Sequence, residues 1–150
     1  MAGSPMAARP MTDGGPAAPL RAVRLCDSAE LAERGRAHLF DVLHRGEPLR
    51  AFALRHGGRV VAYLDRCAHQ PREMDWIEGE FLDAVGTVIV CALHGAEYAP
   101  ADGRCLAGPC GAGRLTALAV AERAGAVYWY PSCDILPVPG SLPAGHESTA

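Results

Sequence analysis

Short apolar runs with partial alternation of apolar and polar positions fill the middle of the chain, and turn residues separate them. The clearest turn signals are Arg-Gly-Glu-Pro at 45–48, Gly-Gly at 57–58 and Pro-Ala-Asp-Gly at 100–103. The pattern predicts strands at 37–44, 49–55, 59–64, 87–91, 97–99, 104–106, 114–121 and 126–130. The sequence of residues 28–35 predicts a helix of at most two turns that ends at Gly35. Many short strands without a long helix predict an all-β, antiparallel architecture.

The two ends of the chain differ in composition from the middle. Residues 1–21 are rich in Ala, Pro, Gly and Met, and residues 131–150 are rich in Pro, Gly and Ser. Neither end has a clear period of two or of 3.6, so we expect a flexible N-terminal tail, one folded domain over 22–130, and a C-terminal tail.

Charge and hydropathy exclude several classes of function. The formal net charge is −3, and all 14 basic residues are arginines spread along the chain, so no basic stripe is available for nucleic acid. No apolar run approaches the roughly 20 residues that span a bilayer, and the first residues do not resemble a secretory signal. We therefore expect a cytoplasmic protein that binds neither nucleic acid nor membrane. In that reducing compartment the six cysteines are more readily explained by metal than by disulfides.

Two Cys–His motifs carry the candidate chemistry. Cys67-Ala68-His69 follows the strand predicted at 59–64, and Cys91-Ala92-Leu93-His94 follows the strand predicted at 87–91. Loops at strand ends can converge on one metal. Tetrahedral zinc is one alternative for two cysteines and two histidines. Each loop supplies one cysteine and one histidine, however, so two thiolates can share one metal and two imidazoles another. This is the ligand pairing of a [2Fe–2S] centre with two histidines on one iron.

With these motifs the chain resembles the Rieske iron–sulfur domain over about residues 22–130. The C-x-H and C-x-x-H-G motifs carry the resemblance, together with Tyr98, Gly103 and Gly108-Pro109. The resemblance implies an antiparallel β-sandwich with two cluster-binding loops and a proline loop at Gly108-Pro109 that covers the cluster.

The resemblance also implies the ligands of a [2Fe–2S] cluster. Cys67 and Cys91 would bind the buried iron, and His69 and His94 would bind the outer iron near solvent. Gly95 would let the backbone pass close to the bridging sulfides.

The chain departs from the family pattern at several positions. The interval of 21 residues between His69 and Cys91 is long for a small Rieske ferredoxin. Respiratory Rieske subunits join their cluster loops by a disulfide, but the matching positions here are Arg72 and Leu93. Ala96 stands where those subunits have a serine that donates to a bridging sulfide, whereas Tyr98, the donor to a cysteine sulfur, is kept. Fewer donors to sulfur predict a reduction potential near the low end of the Rieske range.

The remaining cysteines and aromatic residues have simpler interpretations. Cys105 and Cys110 flank the proline loop; a disulfide is one alternative, and two small, partly buried thiols are the expectation. Cys26 and Cys133 are expected to be ordinary thiols. Trp76 could gate electron transfer, but packing beside a loop is the expected role. Metal binding is not expected of the other histidines, which are His38, His44, His56 and His146.

The function implied by the resemblance is one-electron transfer, with no catalytic activity of the chain alone. A reductase, such as a flavoprotein, would reduce the cluster, and a terminal oxygenase or another redox enzyme would accept the electron. An oxygenase catalytic subunit would need a further site of two histidines and one carboxylate, and only His146 follows Cys110. A zinc-stabilised binding module with the same four ligands is the alternative.

Overall fold

The computed structural model describes residues 21–68, 72–75, 77–93 and 95–139, and these form two antiparallel sheets. The strands are β1 (Val23–Asp27), β2 (His38–His44), β3 (Glu47–His56), β4 (Arg59–Leu64), β5 (Ile89–Val90), β6 (Glu97–Tyr98), β7 (Cys105–Ala107), β8 (Ala117–Arg123), β9 (Ala126–Tyr130) and β10 (Ile135–Pro137). A 3-10 helix covers Ser28–Glu30. The larger sheet has the order β1-β9-β8-β4-β3-β2-β10, and the smaller sheet has the order β5-β6-β7. The all-β prediction is confirmed.

Three tight hairpins build the larger sheet. The register pairs His44 with Glu47, His56 with Arg59, and Arg123 with Ala126, so each turn has two residues. Both turn residues have positive φ in every case, which is the conformation of hairpin turns that match the twist of the strands. The three turns are Arg45-Gly46, Gly57-Gly58 and Ala124-Gly125. Glycine at the second position removes the steric cost of that conformation.

Strand β3 separates two apolar clusters because successive side chains point to opposite faces of a sheet. Phe52 and Leu54 enter the cluster that packs against the smaller sheet, whereas Ala51 and Ala53 enter the cluster on the other face. In the first cluster the rings of Phe52 and Phe81 stack with centroids 3.7 Å apart. The long segment between β4 and β5 is thereby anchored on the larger sheet.

Several local predictions need correction. The helix expected over 28–35 is a single 3-10 turn, because Leu31 is already extended and its amide donates to the Ser28 carbonyl. Strand β1 was not predicted. Residues Ile135–Pro137 lie in the expected C-terminal tail but form β10, which pairs with β2. The domain boundaries as a whole remain a prediction.

No helix formed by the described residues is long and apolar enough to cross a membrane.

Candidate metal centre

Two loops bring the predicted cysteines into the first apolar cluster. Cys67 follows β4 and Cys91 directly follows β5, and the two side chains are 4% and 0% exposed. Both belong to the cluster that includes Tyr98 and Phe81. His69 and His94 lie outside the described residues, so their predicted role is not tested by the geometry.

Backbone hydrogen bonds fix both loops and join them. The Cys67 amide donates to the Arg72 carbonyl at 2.9 Å, and the Cys91 amide donates to the Ala96 carbonyl at 2.8 Å. The Ala92 amide donates across the gap to the Met74 carbonyl at 2.9 Å. Two loops far apart in sequence are therefore held in a fixed relation, as a shared metal site requires.

Tyr98 contacts one of the two cysteine sulfurs through its hydroxyl. Its hydroxyl lies 3.3 Å from Cys67 Sγ and accepts the Ala68 amide at 3.1 Å. A metal-bound thiolate has no proton, so the hydroxyl must donate to the sulfur when Cys67 is a ligand. Burial, reinforced by the neighbouring Cys67, raises the pKa of Tyr98, which keeps that proton in place. The predicted contact between Tyr98 and a cysteine sulfur is present.

A third loop, residues 108–113, packs against both cysteine loops. A Cβ on Gly108 would lie 2.8 Å from Ala96 Cα, and a Cβ on Gly113 would lie 2.9 Å from Ala68 Cβ. Such close approach leaves no room for a side chain at either glycine. Pro109 is exposed and Ala96 is fully buried. The loop therefore contacts both cysteine loops, and its role as a proline loop over the cluster stays a prediction.

Gly95 leaves open space beside the second cysteine loop. Its φ is +76°, a conformation that favours glycine. Apart from its chain neighbours, no described residue has a heavy atom within 4 Å of where a Cβ would be. Two buried sulfur donors with an open glycine beside them fit a sulfur-bound cluster. The expected passage of the backbone past bridging sulfides remains a prediction.

An acidic residue that the sequence analysis did not single out orders the segment after Cys67. Asp65 is 2% exposed, and its Oδ1 accepts the Met74 amide at 2.7 Å. Burial, with the nearby Asp75 carboxyl, raises the pKa of Asp65 to about 8. Among the described residues Oδ2 has no hydrogen-bond partner. The sequence carries no signal for this role, because it depends on the fold of residues 72–75.

The expectation of two thiols at Cys105 and Cys110 is wrong, because the two residues form a disulfide with Cα atoms 5.8 Å apart. A separation of five residues in sequence does not determine the distance between the two Cα atoms. The bend of the chain after β7 brings them together. Cys26 is buried, and desolvation raises the pKa of its thiol to about 11, whereas Cys133 is exposed. Both are outside the disulfide, as expected.

Among the histidines for which metal binding is not expected, His38 and His56 lie within the described residues. His56 Nε2 lies 2.9 Å from the Gly86 carbonyl, so this histidine is satisfied by the backbone. Desolvation lowers the pKa of half-buried His38. Trp76 and His146 lie outside the described residues.

Comparison with protein families identifies the class. The sequence model of the Rieske [2Fe-2S] domain matches residues 21–124, which is more than half of the chain. The chain therefore belongs to the Rieske [2Fe-2S] domain family, and its cofactor is a [2Fe–2S] cluster. The predicted resemblance and cofactor are confirmed, which counts against the zinc alternative.

Solved structures with the same fold include two ferredoxins. The ferredoxin of carbazole 1,9a-dioxygenase from Nocardioides aromaticivorans IC177 is 24% identical, with a TM-score of 0.59 over 74% of this chain and 98% of that one. The ferredoxin of Sphingomonas yanoikuyae B1 is 20% identical, with a TM-score of 0.56 over 75% of this chain and 100% of that one.

A third match is a chain from the reduced complex between oxygenase and ferredoxin in carbazole 1,9a-dioxygenase, at 21% identity and a TM-score of 0.61. The match covers 83% of this chain but only 34% of that one. A search of curated protein sequences found no match. At these identities the structural matches show the fold, and the predicted Rieske-like sandwich is confirmed.

Proposed function

We propose that the protein is a one-electron carrier whose cluster is bound by Cys67 and Cys91 on one iron and by His69 and His94 on the other. The observation that carries this proposal is that two buried cysteines from separate loops enter one apolar cluster, where the Tyr98 hydroxyl lies 3.3 Å from Cys67 Sγ. When bound, the cluster supplies a centre that accepts and releases one electron.

The chain's own residues prepare the inner side of the site. Burial excludes water from both thiolates, and the Tyr98 hydroxyl offers one of them a proton that it does not give up. A donor aimed at sulfur favours the state with more negative charge, so Tyr98 favours reduction. The histidine loops would carry the exposed side, through which a partner protein exchanges electrons.

A reductase and an oxygenase are the partners we infer. Support comes from the matched structures, which include ferredoxins of dioxygenase systems and complexes of ferredoxin with oxygenase. In the proposed arrangement the outer iron lies near solvent, which would suit alternate docking to a donor and an acceptor. A cluster reduced by a flavoprotein reductase and reoxidised by a terminal oxygenase, followed by stopped-flow absorbance, would support this part; a cluster inert to both would contradict it.

The ligand assignment is tested by spectroscopy and by analysis of iron and acid-labile sulfide. The purified chain should be coloured, should bleach with dithionite, and should contain two irons and two sulfides. His69→Ala and His94→Ala should each lose this centre, since the outer iron would lack a ligand. His44→Ala, on strand β2, is the matched control and should keep it.

Two results would contradict the assignment. A colourless chain with stoichiometric zinc would favour the zinc-stabilised module. An unchanged spectrum and full iron and sulfide content in His94→Ala would show that the ligand set is wrong.

A further inference from the structure

We propose that Cys105 and Cys110 form a reversible thiol–disulfide exchange site for a dithiol reductant, and that its state controls how firmly the 108–113 loop covers the cluster. The exchange itself depends only on the two cysteines. The effect on the cluster rests on the proposed function.

The backbone holds the two cysteines together without help from the disulfide. The Cys105 amide donates to the Gly113 carbonyl at 3.0 Å, and the Gly113 amide donates to the Cys110 carbonyl at 2.8 Å. Both residues are thus tied to Gly113. A pair kept close in this way can re-form its bond after reduction. The ring that the disulfide closes is also short, so the bond constrains few residues.

Acceptors for the two thiols of the reduced form are already in place. The Ala107 carbonyl oxygen lies 3.6 Å from Cys105 Sγ and 3.3 Å from Cys110 Sγ. The Glu97 carbonyl oxygen lies 3.9 Å from Cys110 Sγ. A thiol is a weak donor, and these oxygens would receive it within the existing loop. The same local fold therefore accommodates the disulfide and the dithiol.

The two sulfurs differ in access. Cys105 is partly exposed at the start of β7, whereas Cys110 is 8% exposed. Attack on Cys105 is consequently the open route, because exchange requires a thiolate to reach a disulfide sulfur.

The exchange balances as a two-electron reaction. A thiolate of the reductant bonds to Cys105 Sγ, the Cys105–Cys110 bond breaks, and Cys110 leaves as a thiolate that takes up a proton. The second thiol of the reductant then attacks the mixed disulfide and releases the Cys105 thiol. The reductant is oxidised to its own disulfide, and its two protons end on Cys105 and Cys110.

The ring closed by the disulfide contains one of the two contacts that this loop makes with the cysteine loops. Gly108, inside the closed ring, packs on Ala96 in the second cysteine loop. Gly113, just beyond the ring, packs on Ala68 in the first. Opening the ring frees the segment that carries Gly108 while Gly113 keeps its backbone bonds. We therefore expect the reduced form to loosen its cover over the second cysteine loop first.

Peptide mass spectrometry on the full-length, cluster-loaded protein tests the exchange. Trypsin cleaves after Arg104 and Arg114, so both cysteines fall in one peptide, residues 105–114. Alkylation under non-reducing conditions should leave this peptide unlabelled, and alkylation after mild treatment with dithiothreitol should label it twice. Cys133, which is exposed, should be labelled in both samples and serves as the internal control. A doubly labelled peptide before treatment, or an unlabelled one after it, would overturn the exchange site.

The rate of cluster loss to an iron chelator, followed by visible absorbance, tests the coupling. Dithiothreitol-treated protein, freed of reductant, should lose its cluster several-fold faster than untreated protein, and reoxidation with oxidised glutathione should restore the slower rate. The Cys105→Ser/Cys110→Ser variant should lose its cluster at the faster rate with or without dithiothreitol, which separates the disulfide from direct action on the iron. Equal rates in treated, untreated and reoxidised wild-type protein would overturn the coupling, even if the variant did not fold.

Failure of the proposed function gives a different result. A chain without iron and sulfide has no absorbance to follow, so both the electron-carrier function and the coupling would be refuted, while the peptide masses would still decide the exchange site.

Discussion

Replacing Tyr98 by Phe removes one hydroxyl from the inner side of the site. The hydroxyl accepts the Ala68 amide at 3.1 Å and lies 3.3 Å from Cys67 Sγ. The ring is fully buried, so phenylalanine fills the same space without creating a cavity. The substitution therefore tests the hydrogen bonds rather than the packing.

The size of the effect follows from the two lost contacts. An amide left without an acceptor costs about 1–3 kcal/mol, and we expect about 1 kcal/mol because Ala68 is exposed and water can reach it. A donor to the sulfur favours the reduced cluster; if it does so by about 1 kcal/mol, its removal lowers the potential by about 40 mV, since a tenfold change in a one-electron equilibrium is about 59 mV.

Protein-film voltammetry at neutral pH measures the potential, and Tyr63→Phe is the matched control. Tyr63 is also a buried tyrosine in the same apolar cluster, but its hydroxyl donates to the Pro100 carbonyl at 2.7 Å. The control should lose stability and keep the potential. A potential in Tyr98→Phe equal to or above that of the parent would refute the reasoning, and so would an equal drop in Tyr63→Phe.

Three further substitutions test the supporting contacts. Gly108→Ala should lower the free energy of unfolding by about 1–3 kcal/mol, because its Cβ would overlap backbone, whereas Gly111→Ala, also at positive φ but with open space, should cost less; equal losses in denaturant melts would contradict the close contact. Asp65→Leu should cost about 1–3 kcal/mol by uncapping a buried amide, and Asp65→Asn, which keeps the acceptor, should cost less in the same melts. Glu122→Gln should reduce stability at neutral pH. The Arg55 hydrogen bond lowers the pKa of Glu122, so this contribution is fully present above the unfolded value of 4.5 and is lost as the pH falls through the lower folded value. A deficit in thermal melts that does not shrink as the pH is lowered below 4.5 would contradict it.

Local signals in the sequence were sufficient for the hairpin of β3 and β4 and for the placement of Cys67 and Cys91 after strands, whereas β8 is Ala117–Arg123 and not the predicted 114–121. Gly57-Gly58 between two apolar runs specifies a two-residue turn, and the register of β3 and β4 follows from it. Each Cys–His motif spans only three or four residues, so it can be recognised without knowledge of the fold. Family membership supports the same cofactor that this spacing predicts.

Features that depend on distant partners could not be predicted. Strand β10 contains a proline and lies in a proline-rich segment, but it is an edge strand, where a missing backbone donor is tolerated. Strand β1 has an irregular register with β9 between Arg24 and Cys26, which weakens its alternation. The Cys105–Cys110 disulfide depends on a Cα distance that sequence spacing does not determine.

The link between the two cysteine loops shows how the fold replaces a covalent connection. Arg72 and Leu93 occupy the positions where the resemblance places an interloop disulfide in respiratory subunits. Here the Met74 carbonyl accepts the Ala92 amide at 2.9 Å. Ala92 directly precedes Leu93, and Met74 is two residues after Arg72. Asp65 fixes the amide of the same Met74, so the acceptor is itself held from within the core. Because neither bond involves a thiol, this link between the loops is insensitive to reductants. The disulfide between Cys105 and Cys110 lies outside this link.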